Sequence, residues 1–220
     1  MSSPARSPAV IDRQHCAITF TCMPRIEALT HDSCAGIVLA AGAGTRYGKP
    51  KALAENGAWL TAAITALRDG GCDPVIVLLG ATGPDPAALN LPPGTRWHWV
   101  ADWARGLSAT VRAGLAEAAR AGTRYVAFRP VDTPDIGAEV VARVLAAARE
   151  NESGLARGVF HDTPGHPVVI ENKHWEAIYT AAVGDAGAGS YLGTRQDMVC
   201  VTCDDLATGA DRDFPEVDAR

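Results

Sequence analysis

Between Leu39 and Lys51 the chain reads Leu-Ala-Ala-Gly-Ala-Gly-Thr-Arg-Tyr-Gly-Lys-Pro-Lys. Glycines lack a Cβ, so their backbone amides can approach an anion closely, and they accept left-handed φ values. Arg46, Lys49 and Lys51 add cations where phosphate groups would need neutralising. The chemistry this suggests is the grip of a polyphosphate, with backbone at Leu39, Ala40, Ala41, Gly42, Ala43 and Gly44 facing the ligand. A bland glycine turn with surface cations is the alternative, although such a turn needs only one or two glycines.

Two familiar phosphate loops can be tested by counting. The dinucleotide pattern Gly-x-Gly-x-x-Gly would place its third glycine at Tyr47, and fails there. The Walker A pattern fails as well, because five residues separate Gly42 from Gly48 and Pro50 follows Lys49. Pro50 also prevents a helix from starting directly beneath the phosphates. The loop is therefore expected to wrap a triphosphate rather than seat it on a helix end.

Other chemistry-bearing side chains are more ambiguous. Asp132 follows the apolar run Tyr-Val-Ala-Phe and precedes Pro134, which restricts the backbone. It could be a metal ligand or the N-cap of a helix over residues 137–149. Ser108 and Thr110 lie at a helix start, where free amides favour an anion, and plain N-capping is an equal reading. His161 and His166 flank a Thr-Pro-Gly turn and read as structural. Trp97, Trp99 and Trp103 read as core and strand packing rather than a base-stacking platform.

The elements that position these groups are legible from apolar runs and punctuation. Ala-Gly-Ile-Val-Leu-Ala-Ala, Pro-Val-Ile-Val-Leu-Leu, Arg-Trp-His-Trp-Val, Tyr-Val-Ala-Phe-Arg-Pro, His-Pro-Val-Val-Ile and Met-Val-Cys-Val-Thr-Cys read as strands. Between them stand helical segments beginning at Thr61, Leu107, Ala138 and His174. Such alternation predicts an α/β fold with a largely parallel sheet covered on both faces. Ligands in such folds bind beyond the carboxyl ends of the strands, which puts Gly42–Lys51 and Asp132–Pro134 in one cleft.

Composition narrows the function. The 220 residues carry 20 Lys and Arg against 25 Asp and Glu, a net charge of −5, without any basic block. That argues against a nucleic-acid partner or an anionic membrane surface. No stretch reaches the roughly 18 apolar residues needed to span a bilayer, and no secretory pattern is evident, so the expected address is cytoplasmic. Six cysteines in a chain this long do not make a disulfide framework. Cys200 and Cys203 form one C-x-x-C pair without a second half-site, and read as strand residues. Residues 1–33 read as a loose tail with an accessory strand from Ile18, and residues 34–220 as one domain.

With these segments in hand, the chain resembles the nucleotidyltransferases related to molybdenum cofactor cytidylyl- and guanylyltransferases. The resemblance rests on the glycine loop, Asp102–Leu115, Val131–Pro134, Gly165–Val168, Gly184–Ala188 and Asp211–Glu216, in that order. It implies a three-layer α/β sandwich on a mostly parallel, Rossmann-like sheet, as in nucleotide-diphospho-sugar transferases. It implies transfer of a nucleotidyl group to a phosphorylated acceptor, with Lys51, Arg46 and Asp132 catalytic. Asp132 and Asp213 would hold Mg²⁺, and Ser108 and Thr110 would face the acceptor. Ala40-Ala41-Gly42 resembles the cytidylyl branch, so CTP is the expected donor, with GTP the alternative, and molybdopterin the expected acceptor, with a molybdoenzyme as downstream partner. A non-catalytic module of the same fold that delivers the cofactor is the other reading. Gly189 and Phe214 depart from the family pattern, which puts the acceptor in question more than the chemistry.

Overall fold

The computed structural model describes residues 32–214. Residues 1–31 of the expected tail, its accessory strand and the closing residues 215–220 lie outside the described residues.

Seven strands form one sheet. They are β1 (Cys34–Ala40), β2 (Val75–Leu79), β3 (Arg96–Trp99), β4 (Tyr125–Pro130), β5 (Leu155–Phe160), β6 (Thr163–Glu171) and β7 (Val199–Thr202). Their spatial order is β3-β2-β1-β4-β6-β5-β7. Only β6 runs against its neighbours β4 and β5; every other pairing is parallel. The central strands β1 and β2 are almost wholly buried and β-branched or leucine-rich, as a strand covered on both faces must be.

Five helices cover the sheet: α1 (Ala58–Asp69), α2 (Leu107–Arg120), α3 (Ala138–Glu150), α4 (Trp175–Ala181) and the single turn α5 (Gly189–Leu192). Strand residues alternate between two apolar layers. Val38, Val77, Tyr125 and Ala127 join Leu60, Ile64, Leu67, Val141 and Val144 beneath α1 and α3. Ile37, Ile76, Val126 and Phe128 join Leu115, Trp175 and Ile178 beneath α2 and α4. The result is the expected three-layer α/β/α sandwich, with the period-two alternation of the strands deciding which layer each side chain enters.

Two expectations change. Leu155–Phe160 is a strand, and with β6 it forms a hairpin that turns at His161 and Asp162, both left-handed at φ 48° and 61°. Thr-Pro-Gly, read as a turn, is the start of β6. Trp97 and Trp99 are not core residues, being 44% and 38% exposed. They stand on β3, an edge strand with β2 as its one neighbour in the sheet.

Candidate active site

The carboxyl ends of β1 and β4, central neighbours in the sheet, point the same way and open into one cleft. Its walls include Leu39, Gly42, Gly44, Arg46, Lys51, Asp132 and Asp213, around a space of about 240 Å³. Residues from three distant stretches of chain meet here for different local reasons.

The loop after β1 is closed by its own backbone. The Gly48 amide donates to the Gly44 carbonyl at 2.8 Å, and Gly44 sits at φ 62°. A Cβ at Gly44 would lie 1.9 Å from the Lys49 carbonyl oxygen, so the closure requires glycine there. Tyr47, where a dinucleotide loop would need glycine, is buried instead. Its ring packs against Trp59 with centroids 5.2 Å apart, and its hydroxyl donates to Glu55 at 3.3 Å. This aromatic anchor pins the loop to the body of the protein and leaves Arg46, 70% exposed, free to reach outward. After Pro50 the chain makes a kinked 3₁₀ segment, Lys51–Gly57, so that α1 begins at Ala58 and not under the glycines.

Asp132 follows β4 and does not cap α3, whose N-cap is Gly137 with no side-chain hydrogen bond. Its carbonyl accepts the Arg212 amide at 2.9 Å, and this backbone bond draws the C-terminal segment across the cleft and delivers Asp213. Lys51 Nζ lies between the two acids, 2.7 Å from Asp132 Oδ2 and 2.8 Å from Asp213 Oδ1. Arg46 Nη1 donates to Asp213 Oδ2 at 2.6 Å.

Electrostatics follow from that geometry. Burial opposes the Lys51 charge, but the hydrogen bonds and charges of Asp132 and Asp213 outweigh it and hold the ammonium above its ordinary range. The Lys51 hydrogen bond holds the Asp213 carboxyl below the usual carboxylate range. Asp211 is pushed the other way, first by the protein crowded round its carboxyl and then by the charges of Asp132 and Asp213. Asp132 Oδ1 is buried and has no hydrogen-bond partner among the described residues. No group of three or more His, Cys, Asp or Glu side chains able to hold a metal ion occurs among the described residues.

Residues 36–199 match the MobA-like NTP transferase domain. The chain belongs to this family. It therefore carries a nucleotidyltransferase domain. Among MobA-like relatives, nicotine blue oxidoreductase of Paenarthrobacter nicotinovorans is 34% identical, over 82% of this chain and 92% of that protein. A probable molybdenum cofactor guanylyltransferase of Rhodopirellula baltica is 32% identical, over 54% of this chain and 58% of its own. A solved nucleotidyl transferase from Methanothermobacter shares the fold, with a TM-score of 0.62, 18% identity, and 79% and 89% of the two chains covered.

Measured against the MobA-like expectations, the structure brings Arg46, Lys51, Asp132 and Asp213 together beside Leu39, Ala40, Gly42 and Gly44. Ala41 lines not that cleft but, with Gly42, a second trough of about 450 Å³ beside Trp103, Leu107 and His166. Ala43 is partly buried in the loop. Thr110 lines the second trough, whereas Ser108 is buried on α2 without lining it. The start of α2 is met by a carboxylate already. The Leu107 amide donates to Asp185 at 3.3 Å, and Gly106, at φ 98°, makes room for that acid. Any acceptor anion there shares the helix end with Asp185.

Two contributors escaped the sequence reading. Asp185 lay inside a recognised segment but carried no signal of its capping role. Arg129 is fully buried on β4, with Nη2 donating to the Thr133 carbonyl at 2.5 Å. Its Nε and Nη1 have no partner among the described residues. Burial presses its guanidinium down to about 10, with Asp135 and Asp132 pulling the other way. A buried arginine under the Asp132 turn is unusual, and an Arg in a strand reads as surface from sequence alone. No helix of the described residues is long and apolar enough to cross a membrane.

Proposed function

We propose that the chain catalyses Mg²⁺-dependent transfer of a nucleoside monophosphate to a small phosphorylated acceptor, with CTP as donor and molybdopterin as acceptor. An acceptor phosphate oxygen attacks the α-phosphorus, the bond to the β-phosphate oxygen breaks, and pyrophosphate leaves. The observation that carries this reading is Lys51, held within 2.8 Å of both Asp132 and Asp213 at the mouth of the glycine loop. Cations and acids in one cleft suit a reaction that is mostly positioning and charge neutralisation.

The loop amides and Arg46 take the β- and γ-phosphates, and Lys51 turns from the acids to the triphosphate. Asp132 and Asp213 fit Mg²⁺, because both offer hard oxygen donors and Asp132 Oδ1 is buried without a partner among the described residues. Two carboxylates are sufficient, since Mg²⁺ ordinarily completes its shell with phosphate oxygens and water. The ion would supply charge neutralisation at the transferring phosphoryl group. Ala40-Ala41-Gly42 supports CTP, and the likeness to a probable guanylyltransferase supports GTP.

A second reading is favoured by the 34% identity to an oxidoreductase over 92% of its length. In that reading the same cleft holds a dinucleotide and the chemistry is hydride transfer. One experiment separates them: binding of CTP, GTP, ATP, UTP, NADH and NADPH with and without Mg²⁺, followed by pyrophosphate release with molybdopterin. Transfer predicts Mg²⁺-dependent binding and turnover of one triphosphate. It also predicts a fall in turnover of about a hundredfold or more in Asp132→Asn and Lys51→Met. Binding of the nicotinamide dinucleotides alone, or triphosphate binding indifferent to Mg²⁺ and to Asp132→Asn, would refute the proposal.

A further inference from the structure

A further space of about 260 Å³ adjoins this trough, sharing Leu39, Leu107 and His166 as walls and reaching β5 and β6 on its other side. This space is mostly apolar in its lining. Val111, Phe128, Val168, Ile170 and Leu192 form its walls and all are buried. At about 260 Å³ it is slightly smaller than a typical drug-sized pocket and suits a ligand of one or two rings.

One cation stands in this apolar lining. Arg157, on β5, is partly buried; its Nη2 reaches the Gly165 carbonyl at 3.4 Å, and its Nε is buried with no partner among the described residues. Burial presses the guanidinium below its ordinary range, and its neighbour across the sheet, Cys200 on β7, is a free thiol and not a carboxylate. A charged group with an unmatched donor in apolar surroundings carries a desolvation cost that an anion or strong acceptor would offset. His166 cannot serve as a second cation there, because burial holds its imidazolium down to about 4. Its Nδ1 lies 3.4 Å from the Phe128 carbonyl, which can only accept, so the ring donates from that side. The wall is also open at Gly189, where an added Cβ would meet nothing within 4 Å. Apolar walls with a single cation do not suit a densely phosphorylated ligand.

We propose that this cavity binds a small, largely apolar ligand bearing one anionic or strongly accepting group, which pairs with Arg157. Calling that ligand the acceptor rests on the proposed transfer reaction, since this cavity adjoins the trough beside the phosphate loop through Leu39, Leu107 and His166. The cavity and its cation stand independently of that reaction.

The test uses the full chain and two probes, 2-naphthoate and the neutral 2-methylnaphthalene, titrated by fluorescence without nucleotide. The wild type should bind 2-naphthoate about tenfold or more tightly than the neutral probe, the discrimination expected of one charge-assisted hydrogen bond. Arg157→Met should bind the two alike, and Gly189→Trp should weaken both by about tenfold. Triphosphate affinity should change by less than about twofold in either variant, which also certifies that both fold. Equal binding of both probes by the wild type, binding of neither, or an undiminished preference in Arg157→Met would overturn the proposal. If 2-naphthoate binds as described while no triphosphate does, the transfer reaction falls and the cavity remains. The reverse pattern removes the cavity alone.

Discussion

Replacing Arg129 by methionine should leave the protein about as stable as before, although the residue is completely buried. Each tenfold loss of affinity for its proton costs about 1.4 kcal/mol. A guanidinium pressed down to about 10 by burial therefore carries a charge penalty of about 3 kcal/mol at neutral pH. Arg129→Met removes that penalty and nearly preserves the volume. Against this, it removes the bond to the Thr133 carbonyl, a charge-assisted contact worth about 1.5–3 kcal/mol. The two nearly cancel, and the net change should stay within about 1.5 kcal/mol. Arg129→Ala adds a cavity on top and should lose about 2–5 kcal/mol. Urea unfolding at pH 7, followed by the fluorescence of the buried Trp59 and Trp175, gives both values. Turnover should drop in the methionine variant, because the Thr133 contact holds the turn that presents Asp132. A loss above about 3 kcal/mol in Arg129→Met, with an unchanged denaturant slope, would refute the reasoning. It would mean the guanidinium is well paired and stabilising, not a strained support.

Two further outcomes follow from single positions. Gly44→Ala forces an L residue into φ 62° with its Cβ 1.9 Å from a carbonyl oxygen, and should cost about 1–3 kcal/mol in urea unfolding. Gly42→Ala meets open space and should stay within about 0.5 kcal/mol, so equal losses at the two sites would contradict the loop geometry. His166 is neutral in the fold down to about pH 4, while the unfolded chain takes up that proton near pH 6.5. The unfolded state thus binds more protons across this window, and stability should fall as pH drops from about 6.5 to 4, by up to about 3 kcal/mol. His166→Gln should flatten that part of the curve relative to the wild type. An identical slope in both proteins would show that the ring is protonated in the fold.

Much of this architecture could be read without coordinates, and the exceptions have specific causes. Runs such as Gly-Ile-Val-Leu and Val-Ile-Val-Leu-Leu bracketed by glycines could hardly be other than buried strands, and the helices between them required parallel connections. β5 was missed because Arg157 and Gly158 interrupt its apolar run, and because Pro164 and Gly165 look like a turn although both lie in β6, Pro164 opposite Val159. Trp97 and Trp99 misled because aromatic alternation signals a strand without saying whether the sheet continues beyond it. At the site, the glycine loop and Asp132 were visible from residue type and position. Asp213 came only from resemblance, since a backbone bond from Arg212 to Asp132 is what brings it across, and no side-chain pattern encodes that bond. Arg129 was invisible for a similar reason: its importance lies in what fails to surround it.

The lysine lodged between two acids has a consequence for how the site fills. Asp132, Asp213, Lys51 and Arg46 together sum to no net charge, so a lone divalent ion arriving from solvent finds little to attract it. In the proposed reaction a triphosphate would change that balance by drawing both basic side chains onto itself, uncovering two negative groups as an ion came to be shared with phosphate oxygens. On that proposal nucleotide and metal would enter as one cargo, each admitted by the other, with the acids locked by Lys51 and Arg46 until both arrive.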